Sequence, residues 1–325
     1  MRIAIICPAP PGSLSGNRVT ALRWARILRD LGHHVTISGQ YDGGGPDLLV
    51  ALHARRSAKT ARDFHKRWPD RPLVVALTGT DVYHDIHHDA AARRSLELAT
   101  RLTVLQPLAI EQLPAGIRGK ARVIHQSVIR TPGPIRRRRD TFDVCVAGHL
   151  REVKDPFRTA LSSRLLPAAS RIRVMHAGAA LEEGMAEQAR AEECANPRYH
   201  WLGELSRART RRLIAASRLL VLTSRMEGGA NVISEAVVDG VPVLSSRIDG
   251  SVGLLGEDYP GYFPVGDTQA LAGLLERAES DRAFYRGLQA RCRRVARLFR
   301  PARERAAWRR LAAELHESAK VSSRT

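Results

Sequence analysis

Short apolar runs alternate along the chain with longer mixed segments. Residues 2–7 (RIAIIC) are apolar after one arginine, the pattern of a strand buried on both faces. A loop containing Gly12 and Gly16 follows. The segment 17–31 then places Ala21, Trp24, Ala25, Leu28 and Leu31 at helical spacing, turns Arg23 and Arg26 outward, and stops at Gly32. Further apolar runs at 34–38, 48–52, 73–77, 102–105 and 122–124 are separated by helix-length polar or mixed stretches. Such β–α alternation predicts a parallel sheet covered by helices.

The pattern breaks at residues 131–139 (TPGPIRRRR), where two prolines and a glycine suit neither sheet nor helix; an interdomain linker is expected there. It then restarts. Strands are predicted at 142–147, 172–176, 199–202, 218–222 and 241–244. The intervening helices start near 156, cover 182–194 and 206–216, run up to 239, and continue from about 267. Pro301 interrupts the terminal helical stretch and sets off a last helix. The expected architecture is α/β, with Rossmann-like domains at 1–135 and 136–300 and a C-terminal helix, 301–325, returning to the first. Ligands of open parallel sheets bind beyond the carboxyl ends of the strands, so two such sheets facing each other would enclose a cleft.

Composition narrows the function. A length of 325 residues suits two domains. Lys plus Arg outnumber Asp plus Glu by 52 to 33, a net charge of +19, which raises the question of an anionic partner. With 44% hydrophobic residues and a mean hydropathy of −0.25, this is a folded protein rather than a basic disordered tail. Residues 281–325 hold 13 Lys/Arg against four Asp/Glu, and four arginines run through 136–139. Yet aromatics are only 5%, and no zinc finger or RNA-recognition signature is present, so nucleic acid is not expected as a partner. Cys7, Cys145, Cys194 and Cys292 form no CxxC pair, which indicates neither a disulfide framework nor a zinc site and suits a reducing cytoplasm. No run reaches the ~18 apolar residues of a membrane span, and the first strand stops at Pro8, so neither membrane insertion nor export is expected.

Candidate chemistry concentrates in residues 224–240 (SRMEGGANVISEAVVDG), where a strand runs into glycines and then a helix. Glu227 lies in the turn and Glu235 eight positions on, expected two turns into the helix, so both carboxylates could meet one extended ligand. Gly228 and Gly229 allow close approach to the backbone. Ala230, Asn231 and Val232 would present free N–H groups at a helix start, an anion site. The cluster His84, Asp85, His87, His88 and Asp89 has metal-like composition but follows a polar turn, and is expected to be a solvated loop.

The 224–240 segment resembles the Glu-x7-Glu motif of retaining family-4 glycosyltransferases of the GT-B fold. The resemblance implies that Glu227 contacts the transferred sugar, that Glu235 holds the nucleotide ribose, and that the backbone of 229–232 binds the diphosphate. Residues 148–154 (GHLREVK) look like the segment in which that family grips the leaving diphosphate with an Arg and a Lys. Lys154 matches the Lys and is the only lysine between Lys120 and Lys320. His149 stands where the family has Arg, a departure that makes Arg151 a candidate for the missing charge. No DxD pair occurs, so metal-independent handling of the diphosphate is expected.

A closer resemblance covers nearly the whole chain. The segments PAPPGSLSGNRVTALRWARILRDLG, DLLVALHARRSA, PLVVALTGTD, GHLREVKDPFR, EGGANVISEA and LLGEDYPGYFPVGDT look like the selenosugar synthase family of selenoneine biosynthesis. That family's reaction joins selenophosphate to the anomeric carbon of UDP-N-acetylglucosamine or UDP-glucose. The likeness implies UDP-sugar and selenophosphate as substrates, no cofactor, and selenophosphate synthetase and selenoneine synthase as pathway neighbours. A small, highly charged nucleophile needs a donor-rich pocket, and Gly12, Ser13, Ser15, Gly16, Asn17 and Arg18 offer one. Thr78, Gly79, Thr80 and Asp81 could line the same face. Two alternatives stay open: a retaining glycosyltransferase with a hydroxyl acceptor, and a basic scaffold binding nucleic acid or a membrane surface without catalysis.

Overall fold

The computed structural model describes residues 1–13 and 15–322. The chain divides into two compact units, one made of Met1–Ser127 with the chain from Arg300 onward, the other of Val128–Phe299.

The first unit is built on strands β1 (Arg2–Ile6), β2 (His34–Ser38), β3 (Leu48–Leu52), β4 (Leu73–Leu77), β5 (Arg101–Val104) and β6 (Ala121–Val123). They form one parallel sheet in the order β2-β1-β3-β4-β5-β6, with Ile5 beside both Ile37 and Val50. Every residue of β3 and β4 is buried, which is why these strands read as unbroken apolar runs. One face packs Ile3, Ile5, Val50 and Val74 against Trp24, Leu28 and Trp308; the other packs Ile6, Leu49, Val75 and Leu102 against Phe64 and Leu96.

The helix Gly16–Asp30 is capped by Ser15, whose hydroxyl accepts from the Arg18 N–H. The helix Pro301–Ser322 lies against it, with Trp308 edge-on to Trp24 at 4.9 Å, so the terminal helix does return to the first unit. Between the two helices Glu304 is fully enclosed. Its carboxylate accepts from Trp24 Nε1 (2.8 Å), the Ser127 N–H (2.8 Å) and the Ser127 hydroxyl (2.5 Å). It also pairs with Arg23 Nε at 3.2 Å. Arg23 therefore does not face solvent as its local pattern predicts: a carboxylate arriving from the end of the chain turns it inward.

The second unit holds β7 (Phe142–Ala147), β8 (Ile172–Ala177), β9 (Tyr199–Trp201), β10 (Leu219–Leu222), β11 (Val243–Ser246) and β12 (Tyr262–Phe263) in the parallel order β12-β11-β10-β7-β8-β9. Counted within the unit, this is the 3-2-1-4-5-6 order of a dinucleotide-binding sheet. Strand β11 sits two residues later than expected because Pro242 has no N–H to donate; its carbonyl takes the Leu220 N–H and pairing begins at Val243. The two-residue β12 and the helix Asp249–Leu255 are additions to the sequence reading.

Residues 131–139 lie inside the second unit rather than between domains. Thr131 donates from its N–H and its hydroxyl to the buried Asp239 carboxylate (2.7 and 2.6 Å), which Arg211 also holds at 2.9 Å, and Arg137 donates to the Ala215 carbonyl. The prolines and Gly133 mark a bend in a segment that is already anchored. Among the described residues no helix is long and apolar enough to cross a membrane.

Candidate active site

In the second unit the strand order reverses between β7 and β10, which pair through Val144–Leu219 and Cys145–Leu220. Their carboxyl-end loops therefore flank the crevice where an open sheet binds its ligand. After β7 the chain makes a short turn, Glu152–Lys154, and leaves it through Asp155 at φ 44°. That left-handed residue swings the chain back and leaves Lys154 at the loop's edge. Thr223, following β10, donates its hydroxyl to the carbonyls of Lys154 and Asp155, both at 2.9 Å, and the Arg225 N–H donates to Val153. The two loops are thereby fastened together, and the Lys154 ammonium pairs with the Glu227 carboxylate. Glu227 also accepts from the Ser224 hydroxyl at 2.8 Å.

Two glycines let the backbone close up here. A Cβ on Gly250 would stand 2.0 Å from the Glu227 carbonyl oxygen, and one on Gly178 would stand 1.9 Å from that of Gly148. Gly250→Ala is expected to push the Glu227 turn aside and to cost about 1–3 kcal/mol of stability by overpacking. Alanine is otherwise the better helix former. Thermal unfolding checks this: an unchanged melting point in Gly250→Ala would contradict it.

Below the Gly148 turn lies His176, 1% exposed, with Nε2 donating to the Gly148 carbonyl (3.2 Å) and Nδ1 accepting from Tyr199 Oη (2.9 Å). Burial pushes its pKa down to about 4, from 6.5 when unfolded. The unfolded chain therefore takes up this proton first as pH falls, and stability is lost between about pH 6.5 and 4. The loss attributable to His176 is on the order of 3 kcal/mol. Urea unfolding of wild type and His176→Gln across that window measures it; equal slopes would rule it out.

The helix Asn231–Val238 starts from Ala230, which offers no side-chain cap. Residues 228–230 join Glu227 to the first helical residue, Asn231, so the N–H groups of the helix start follow Glu227 closely in the chain. Glu235 lies only about one turn in, because the helix starts late, and it faces inward at 6% exposure rather than sharing the loop surface with Glu227. Arg207 and Arg211 stand 3.8 and 4.0 Å from its carboxylate. Arg151 points to Glu182 at 3.4 Å, and Glu182 also takes the Glu152 N–H. His149 accepts the Ala179 N–H at Nδ1.

In the first unit the order reverses between β1 and β3. The loop after β1 turns at Gly12 (φ 81°), and the Ser13 hydroxyl takes the Ser15 N–H at 3.0 Å. Gly16 is exposed, while Asn17 and Arg18 are half-buried on the first turn of the helix. Among the described residues Arg18 Nε is buried without a hydrogen-bond partner, and so is Thr78 Oγ1 after β4. Asp81 does not line that face as predicted. It is fully buried and accepts the N–H groups of Ala54 (3.0 Å), Thr78 (3.1 Å) and Gly79 (2.8 Å), which shapes the loop that presents Thr80.

His53 is a residue the sequence pattern misses. It follows β3 at φ 73°, is 4% exposed, and stands 4.0 Å from Asp81 and 3.8 Å from Asp85. Only a backbone in the left-handed region marks it, and that is invisible in composition. Asp85, expected in a solvated loop, is likewise buried; His84, His87 and His88 are exposed, and Asp89 caps the next helix through the Ala92 N–H. Among the described residues no three His, Cys, Asp or Glu side chains gather as metal ligands would.

Two parallel sheets in one chain, each with a switch-point loop, one carrying a Lys–Glu pair before a helix start and the other a Ser/Gly/Arg loop, are the architecture of GT-B glycosyltransferases. The pattern of the family described as glycosyl transferases group 1 matches residues 131–299, and the chain belongs to that family. Its fold is similar over 97% of this chain and all of the other to Anabaena HepE solved with UDP and glucose (TM-score 0.79, 16% identity). It is similar over 98% and 99% to sucrose-phosphate synthase of Thermosynechococcus elongatus (TM-score 0.77, 16% identity). The match to TarM of S. aureus covers 81% of this chain and 55% of that one (TM-score 0.62, 12% identity). Among curated proteins none matches the sequence.

Proposed function

We propose that the protein is a retaining, UDP-sugar-dependent glycosyltransferase whose nucleophile is selenophosphate. The donor half rests on the Lys154–Glu227 pair at the switch point of the second sheet, and on the likeness to HepE, which was solved with UDP and with UDP-glucose. The single observation that favours an anionic acceptor is Arg18. Its Nε is withdrawn from water and unpartnered among the described residues, on the first turn after a Ser/Gly loop. A buried guanidinium nitrogen without an acceptor costs about 1–3 kcal/mol, more for a charged group, and a phosphate oxygen would satisfy it. The extended likeness of the 8–32 and 72–81 segments to selenosugar synthases points the same way.

The selenium of selenophosphate is already anionic and polarizable, so no general base has to activate it. Selenium attacks the anomeric carbon on the same face from which UDP departs, as retention requires, and the bond from that carbon to the UDP oxygen breaks with the electron pair leaving on UDP. Water then cleaves Se–P to give the 1-selenosugar and phosphate. Lys154 and the 228–232 backbone stabilise charge on the departing diphosphate, Arg151 adds a cation once released from Glu182, and Glu227 orients the sugar. All four cysteines are free thiols, which suits reduced selenium in a reducing cytoplasm.

A hydroxyl acceptor would call for a base in the first unit, and His53 between two carboxylates is the one observation in its favour. At 4% exposure that imidazole is enclosed, and burial lowers its pKa, so it works as a brace between the β3 and β4 loops. The test is incubation with UDP-N-acetylglucosamine or UDP-glucose and selenophosphate, with mass spectrometry of the products. A selenium-containing sugar with stoichiometric UDP is expected. UDP release with hydroxyl acceptors alone would overturn the acceptor assignment.

A further inference from the structure

We infer that His149 acts as a permanently neutral imidazole that donates a hydrogen bond from Nε2–H to the departing diphosphate and exchanges no proton during turnover. This rests on the donor reading given above.

The ring is fixed by its neighbours. His149 follows Gly148 at the carboxyl end of β7, and its Nδ1 lies 3.2 Å from the backbone nitrogen of Ala179. A backbone N–H can only donate, so Nδ1 must hold its lone pair there. An imidazolium would set N–H against N–H. The one proton of the neutral ring therefore sits on Nε2, and Nε2 has no partner among the described residues.

This arrangement is locked from both sides. The Leu150 N–H donates back to the Ala179 carbonyl at 2.8 Å, so residues 149–150 and 179 form a reciprocal pair, continued by a bridge between Leu150 and Ala180. The Gly178 N–H is tied to the Gly203 carbonyl at 2.8 Å, and Gly178 itself lies flat against Gly148. Neither loop can slide to free Nδ1 without breaking these contacts.

Electrostatics agree with the geometry. Burial is the largest influence and holds the His149 pKa below its ordinary value. Lys154 and Arg151 act in the same direction, and Glu204 alone opposes them. A neutral donor also makes chemical sense beside Lys154. It adds a hydrogen bond to charge developing on a phosphate oxygen without the like-charge repulsion that a second cation would bring to the ammonium.

The test uses the full chain labelled with 15N-histidine, with the His149 signal assigned by its loss in His149→Gln. Across about pH 6 to 8, where a free histidine titrates, Nδ1 is expected to stay unprotonated and Nε2 protonated. Titration to imidazolium in that range, or the opposite tautomer, overturns the inference. Turnover adds a second arm. His149→Gln can place an amide N–H where Nε2 stood and is expected within about tenfold of wild type, whereas His149→Phe keeps a ring without a donor and should lose about 10²–10³-fold in kcat. Equal kcat values for the two variants would remove the donor role. If the wild-type protein released no UDP from any UDP-sugar, the donor reading would fall while the tautomer result still stood. A titrating His149 in an active enzyme would sink this inference alone.

Discussion

Lys154→Ala is expected to lower kcat by about 10²–10³-fold, the loss associated with removing one preorganised contact to a developing oxyanion. Lys154 and Glu227 form an ion pair, and the lysine is 30% exposed at its side chain against 13% for the glutamate. A diphosphate carries more charge than one carboxylate and would draw the ammonium away, leaving Glu227 with its Ser224 hydrogen bond and free to meet the sugar. Deleting the lysine removes the phosphate contact but does not strand Glu227, which keeps Ser224 and some access to water. Stability should therefore change by no more than about 1 kcal/mol. Lys154→Arg is expected to recover only part of the rate, because a planar fork does not replace a compact charge on a short turn. Single-turnover kinetics, with UDP binding measured by calorimetry, separate the outcomes. Full activity in Lys154→Ala would take the residue out of the diphosphate role, and a collapsed fold would mean that the pair is structural.

The parts of this protein that the sequence discloses are those set by local physics. Strands buried on both faces read as apolar runs, the helical spacing from 17 to 31 ends at Gly32, and the turn carrying Glu227 is a strand–glycine–helix pattern. Strand β12 escaped because two residues carry no period. What could not be read are the encounters between distant segments. Ser224 supports Glu227 locally, but Gly250 and Gly178 owe their importance to backbones that the sheet order brings against them. Asp81 was read as a ligand-facing residue because its position after β4 is visible, while the three N–H groups that consume it are not. The excess of arginine also looks different in the fold. Arg29, Arg71, Arg118 and Arg122 place donors on the backbone carbonyls of Val35, Pro46, Leu113 and Gly119, so part of the +19 charge ties strands and connecting segments together rather than awaiting a polyanion.

Glu304 should be the most sensitive structural position in the first unit. Glu304→Ala removes an acceptor whose side chain is 0% exposed, and leaves the Trp24 indole N–H, the Ser127 N–H and the Ser127 hydroxyl without it, in a space closed to water. Arg23, 13% exposed, would lose its carboxylate as well. Breaking a buried ion pair from one side costs about 3–5 kcal/mol, a large part of the ~5–15 kcal/mol that holds a domain folded. The expected result is a first unit that unfolds at much lower urea concentration. Glu304→Gln tests the cause: its one amide oxygen can take the place of Oε2 and accept from the Ser127 N–H and hydroxyl, while its NH2 faces the Trp24 and Arg23 donors in place of Oε1, so it should recover only part of the loss. Because Glu304 anchors the helix Pro301–Ser322 to the helix Gly16–Asp30, the damage should reach the Ser15–Arg18 turn at the start of the latter. Binding of inorganic phosphate, as a stand-in for the anionic nucleophile, should weaken in Glu304→Gln while UDP binding to the second unit holds. Equal loss of both ligands would show that the contact supports more than the first unit, and an unshifted urea midpoint in Glu304→Ala would show that the enclosed carboxylate contributes nothing.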